Sequence, residues 1–263
     1  MPADACARLA RVTTYYWDSV SLDASELEAA RAELVKSSSG AAFVDAFLKL
    51  LRSGQRVPVS VALARFQYAE AESRWGGGNP CEPYEAEILE RARWVLRQPP
   101  LTAAESGAGR DGADHASALL AMTNLAQPED AELIADVMER TTDPEVLSNA
   151  SGAATKPLEQ ADTPNPRLIQ VIGRIAMDDS RDVRTRAEVM ETLRFAQCAE
   201  GAEIVMRLTE SDDIQLQVSA ASVLAAAHLA THREVVERLM AAWPQDTPGA
   251  YYPRMLLDEA DEE

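Results

Sequence analysis

In the C-terminal half of the chain the apolar residues recur at a spacing that points to stacked helix pairs. Val183, Ala187, Met190 and Leu193 set one register. Leu216, Ala220, Val223, Leu224 and Ala227 repeat it from a start 33 residues later, and Val146, Leu147, Ala150, Ala153 and Ala154 form a looser copy from a start 37 residues earlier. A period of this length marks helical hairpins, none of which can bury its apolar face alone, so that neighbours complete a shared core. The expected fold class is all-α: an α-solenoid of helical hairpins with an N-terminal helical extension.

A chain of 263 residues that is 46% apolar can bury a large core, as one elongated repeat domain or two compact ones. No stretch approaches the roughly 18 uninterrupted apolar residues of a membrane span, and the opening segment lacks the apolar centre of a signal peptide. The expected compartment is the cytoplasm, with no membrane partner. Cys6, Cys81 and Cys198 are widely separated and form no CxxC pair, so free thiols are expected in place of a disulfide framework or zinc knuckle. With 43 acidic against 25 basic residues the net charge is −18, which repels phosphate backbones and disfavours nucleic acid as a partner. Lysine occurs only at Lys36, Lys49 and Lys156, the other basic residues being arginine, a usage expected of a GC-rich bacterial gene.

Residues 1–23 read as irregular around the aromatic cluster Tyr15, Tyr16 and Trp17, expected to anchor the terminus on a core. Ser25 and Glu28 offer a capping box for a helix through Val35, which the run Ser37, Ser38, Ser39 and Gly40 ends. Phe43, Val44, Phe47, Leu48 and Leu51 then recur at helical spacing. Pro58 opens a third helix that buries Val59, Ala62, Leu63, Phe66 and Ala69. Its opposite face sets Arg65, Tyr68, Glu72 and Trp75 at i, i+3, i+7 and i+10, with two aromatics between charges. A Gly- and Pro-rich loop over residues 75–83 leads to a helix with Tyr84, Ile88, Ala92 and Val95 on one side and Glu87, Arg91 and Trp94 on another. From Lys49 to Arg97 there are eight basic and six acidic residues, a local reversal of the chain's charge.

Residues 99–112 carry turn formers and little hydrophobicity. They are expected to link an N-terminal helical region, residues 1–110, to a repeat region with an acidic tail, residues 111–263. Within the latter, Asp143 before Pro144 and Asn165 before Pro166 each read as an N-cap preceding a proline at the first helical position. Pro244 and Pro248 end the regular stack; a short helix is allowed after them, and Asp258, Glu259, Asp261, Glu262 and Glu263 are expected to make a solvated acidic tail.

With Asp179, Val183, Arg184, Ala187 and Leu193 in these positions, residues 113–243 resemble HEAT repeats, including the bacterial group described as phycocyanobilin-lyase-like repeats. The family pattern sets an Asp in the turn and an Arg after the branched residue, able to pair between neighbouring repeats. Arg184 fits it, while Leu147 and Gln217 stand at the corresponding positions. The resemblance implies stacked helical hairpins and, by analogy, a protein-binding scaffold.

No catalytic residue, metal ligand or cofactor is expected. His228 and His232 have the i, i+4 spacing of a helical metal pair, but Thr231 and Glu234 read as a capping box that starts a helix between them. Asp178, Asp179, Asp212 and Asp213 look like carboxylate pairs for acid–base work, yet they recur just before helices, where carboxylates cap free amides. Cys198 falls in a predicted turn with no neighbouring histidine. Gly76, Gly77 and Gly78 lack both the lysine of a phosphate loop and the preceding strand of a dinucleotide site. The expected role is a non-enzymatic scaffold or adaptor. Its protein partner is expected at Arg65, Tyr68, Glu72, Arg74, Trp75, Tyr84, Arg91 and Trp94, where arginine and aromatic side chains concentrate. Two other readings stand beside it. One is an acidic inhibitor or immunity-type protein covering a basic partner; the other, borrowed from HEAT-like DNA glycosylases, is an enzyme holding DNA against the locally basic segment.

Overall fold

The computed structural model describes residue 29, residues 40–73 and residues 79–262. Among them all regular structure is helical, with no strand. No helix among the described residues is long and apolar enough to cross a membrane. Tyr15, Tyr16, Trp17, the capping pair Ser25 and Glu28, and the glycine run at Gly76 lie outside the described residues. Contacts divide the chain into two units, Met1–Ala126 and Gln127–Glu263.

In the first unit α1 is Gly40–Leu51, α2 Arg56–Ser73, α3 Glu85–Leu96, α4 Ala103–Ser106 and α5 Ala113–Met122. Phe43, Phe47 and Leu51 fill the inner face of α1, as their spacing requires. The second helix departs from the one-sided pattern. Val57, Val59, Ser60, Val61, Ala62, Leu63, Ala64, Arg65 and Phe66 are all buried, because α1, α3 and α5 pack around it. The segment expected to be a linker is held in place. Thr102 and Glu105 form a capping box on α4, Asp111 accepts from the Ala103 amide, and Gly112 donates its amide to the Leu101 carbonyl. Gly107 and Gly112 make the two chain reversals with φ near +71° and +72°. Since α5 packs on α2, α3 and α4, it belongs to the first unit by its contacts.

In the second unit α6 is Ala131–Arg140, α7 Pro144–Glu159, α8 Pro166–Met177, α9 Val183–Glu191, α10 Ala199–Leu208, α11 Ile214–Ala227, α12 Leu229–Ala242 and α13 Tyr251–Glu262, with a 3-10 turn at Thr192–Phe195. Each helix packs on a neighbour and, through much of the unit, on the next but one: α6 on α8, α8 on α10, α7 on α9, α9 on α11 and α11 on α13. The period of the apolar residues is visible in what they bury: Ala187 and Met190, Ala220 and Val223, and Ala150 and Ala153 are all in the core.

The caps at Asp143 and Asn165 form as the sequence indicates, with Asp143 accepting from the Glu145 and Val146 amides and Asn165 from the Leu168 amide. Asp213 likewise caps α11. For α9 the cap is Asp182, not Asp178 or Asp179. Asp178 instead turns the chain by accepting from Ser180 and Arg181, and Asp179 pairs with Arg186. Beyond Pro248 the chain does not trail off. A further helix, α13, packs on α11 and α12, with Asp258, Glu259 and Asp261 on its exposed side and Asp261 paired to Arg233.

Candidate functional site

The residues that the sequence singles out in the first unit are not all on one surface. Arg65 is 3% exposed and belongs to the interior around α2. Tyr68 and Glu72 lie in α2, but their side chains, like the whole of Arg74 and Trp75, are outside the described residues. Glu87, Arg91 and Trp94 fall on α3 at helical spacing, and Tyr84 stands just before the helix as its N-cap; all four are half-buried. Glu87 accepts two hydrogen bonds from Arg52, at 2.8 and 2.7 Å. These bonds hold its carboxyl below the usual carboxylate range, with the nearby charge of Arg91 adding to the effect against partial burial. The face is therefore a charged patch whose acid is already paired.

The second unit contains an apolar groove of about 700 Å³. One wall is α11, from Ile214 to Val223; the other is the end of α9, the 3-10 turn after it and the turn leading into α13. Its origin is local. As the centre of the unit, α11 is covered by α9, α10, α12 and α13, and its sequence is apolar almost all round. Between Arg194 and Pro248 none of the described residues covers it, and Ile214, at the first position of the helix, is 42% exposed. Gly249, at φ +83°, lets the far turn come close to α11: a Cβ there would stand 3.1 Å from Val218 Cγ1.

Two charges sit at fixed places in this groove. Glu191 accepts a hydrogen bond from Ser219 at 3.0 Å, and the guanidinium of Arg194 lies over the Phe195 ring, 4.7 Å from its centre. Asp212 and Asp213 directly precede Ile214, and Asp213 caps α11. Residues 127–263 hold 27 acidic and 12 basic side chains, a net of −15, against −3 for residues 1–126. The groove thus belongs to the unit that carries most of the chain's negative charge.

Comparison with models of known protein families, with curated proteins and with solved structures finds no match to this chain. What the groove can do is read from its own chemistry: apolar surface bounded by a few placed polar groups is the usual form of a recognition site.

A second cleft, of about 590 Å³, brings together residues that the sequence keeps apart. Cys198, which accepts from the Gly201 amide at the start of α10, lines it with Met206, His228 and His232. The expectation of a cysteine without a neighbouring histidine is thereby corrected: the separation along the chain closes when α12 folds back beside α10. The imidazoles of His228 and His232 meet edge to face with centres 6.3 Å apart. His228 ends α11 and opens α12, while His232 sits at a kink within α12, at φ −121° and ψ 18°. Burial, and secondarily the charge of His232, pushes the His228 imidazole below its ordinary pKa. Among the described residues no three His, Cys, Asp or Glu side chains stand close enough to hold a metal ion.

Proposed function

We propose that this protein is a non-enzymatic helical scaffold of the cytoplasm, its second unit a HEAT-like α-solenoid that binds a protein partner. One observation supports the reading: the groove along α11 leaves Ile214 and its apolar surroundings open on a helix that four others pack against. In a repeat architecture, successive hairpins build an extended surface of this kind for recognition. Affinity purification of the tagged chain from a native extract, with cross-link mapping of what is recovered, tests it. A stoichiometric partner cross-linked to the second unit is expected. Recovery of none, beside a robust enzymatic turnover by the purified chain, would remove the proposal.

The concentration of negative charge in residues 127–263 favours a second reading, an acidic protein that covers a basic partner. Salt separates the two. A complex held chiefly by charge falls apart as ionic strength rises, whereas one anchored on apolar side chains persists. The face of α3 with Tyr84, Arg91 and Trp94 is the other candidate contact, and cross-links confined to it would move the site to the first unit.

A further inference from the structure

We propose that the groove along α11 receives an amphipathic helix of the partner protein, seated with its apolar face down and carrying Lys or Arg on its flanks; this specification rests on the protein-binding reading above. Length comes first. The lining residues of α11 run from Ile214 to Val223, about 14 Å at 1.5 Å per residue, which accommodates between two and three turns of a second helix. A helix laid there would present apolar residues at i, i+3 or i+4, and i+7 to Ile214, Val218 and Val223.

An extended peptide is a poorer fit. Strand addition draws its affinity from main-chain hydrogen bonds to a sheet edge, and the described residues contain no strand. In the groove two of the polar side chains that could substitute are already engaged: Ser219 donates to Glu191 and Ser222 to the Val218 carbonyl. A helix satisfies its own backbone and needs none of them.

Charge then selects among helices. Glu191 is an anion on one wall, held by Ser219, and residues 127–263 carry a net charge of −15. Among the described residues that line the groove the cation is Arg194, whose guanidinium lies over the Phe195 ring. An acidic helix would meet the Glu191 carboxylate and the acidic unit, and so would a second copy of this unit; a helix with basic flanks is both steered in and held.

The test is selection from a displayed library of random peptides, each about four turns long if helical, against the full chain. The selected peptides are then synthesised, and their binding is measured by fluorescence anisotropy. Peptides with apolar residues at i, i+3 or i+4, and i+7 and a net positive charge are expected. Ile214→Glu should weaken their binding at least about tenfold, and Glu191→Gln by a smaller factor, with a reduced salt dependence. An acid at the first position of a helix suits the dipole, so Ile214→Glu should remain folded, as a thermal melt would verify. Failure to enrich any peptide, enrichment of acidic or non-helical sequences, or equal binding to Ile214→Glu would each overturn the proposal. Self-association of the chain that Ile214→Glu abolishes would overturn it too, by giving the groove to a second copy. The scaffold reading fails separately. A purified partner that cross-links away from the groove and binds Ile214→Glu unchanged leaves the scaffold standing and removes only the helix, whereas absence of any partner removes both.

Discussion

The two units place their most connected charges differently. In the first, one ion pair lies inside: Asp114 has no exposed surface, takes its ion pair from Arg56 and accepts from the Leu101 amide at 3.0 Å, while His115, 3% exposed, bonds the Gln98 carbonyl at 3.0 Å. In the second, the main ionic network lies outside. Arg167 on α8 reaches Glu132, Asp136 and Glu139 on α6, and Arg174 shares Glu139. These bonds raise the pKa of Arg167 and lower that of Glu139, and Glu132 is lowered first by a hydrogen bond from Asn165 and then by that from Arg167. The difference follows from architecture. A central helix such as α2, surrounded on all sides, has nowhere to place a charge except against a partner. On α6 and α8 the charges lie on a side left open to solvent, and there they pair between neighbouring helices in water.

The energetic consequences should differ by several-fold. Asp114→Ala leaves the Arg56 cation and the Leu101 amide facing an empty site, and a loss of about 3–5 kcal/mol is expected for breaking a buried pair. Chemical denaturation would measure the loss, and hydrogen exchange should localise it to residues before 127. Spread of the weakening through both units would break the comparison.

A local device in the second unit ranks next. Asp213→Ala removes the acceptor for the Gln215 and Leu216 amides, which should cost about 1 kcal/mol and fray the start of α11. Because Ile214 follows directly, the same variant should also loosen the mouth of the groove, seen as faster exchange at its amides.

The exposed ladder should matter less. Arg167→Ala is expected to cost under about 1 kcal/mol, shrinking further at high salt. A double-mutant cycle with Glu139→Ala gives the coupling directly. A coupling as large as the effect of Asp114→Ala would mean that the ladder is shielded from solvent, and would erase the contrast between the units.

The smallest effect is one of pH. Since His228 has a lowered pKa in the folded chain, the unfolded chain takes up the proton first as the pH falls through about 6.5. Stability should therefore decline from that point, the full penalty being reached below the folded-state value, and the group should contribute nothing at higher pH. In His228→Asn the decline should be shallower. A wild-type profile with an identical slope would show that the cleft beside α10 does not resist the charge.

What could be read along the chain was what depends on near neighbours. The caps at Asp143, Asn165 and Asp213 were legible because an oxygen two or three residues from an amide needs no tertiary contact to find it. Asp178 misled because two acidic positions precede α9 by several residues, and only the conformation of the turn decides that Asp182 makes the cap. Arg65 read as a face residue because the opposite stripe of α2 is apolar; its burial requires α1, α3 and α5 to meet around it. The proximity of Cys198 to His228 was likewise hidden in the return of α12 toward α10.

By itself the sequence determined that the chain is helical and where many of its helices begin, because periodicity and capping act within a few residues. It also determined that residues 127–263 are acidic and that apolar positions recur with the period of a hairpin. Only the tertiary structure decided which side of α11 is left open. Ile214 has the same chemistry as the core residues that follow it. Its 42% exposure arises because the 3-10 turn after α9 and the turn before α13 stop short of one another, and a gap between elements distant in the chain has no signature in either of them.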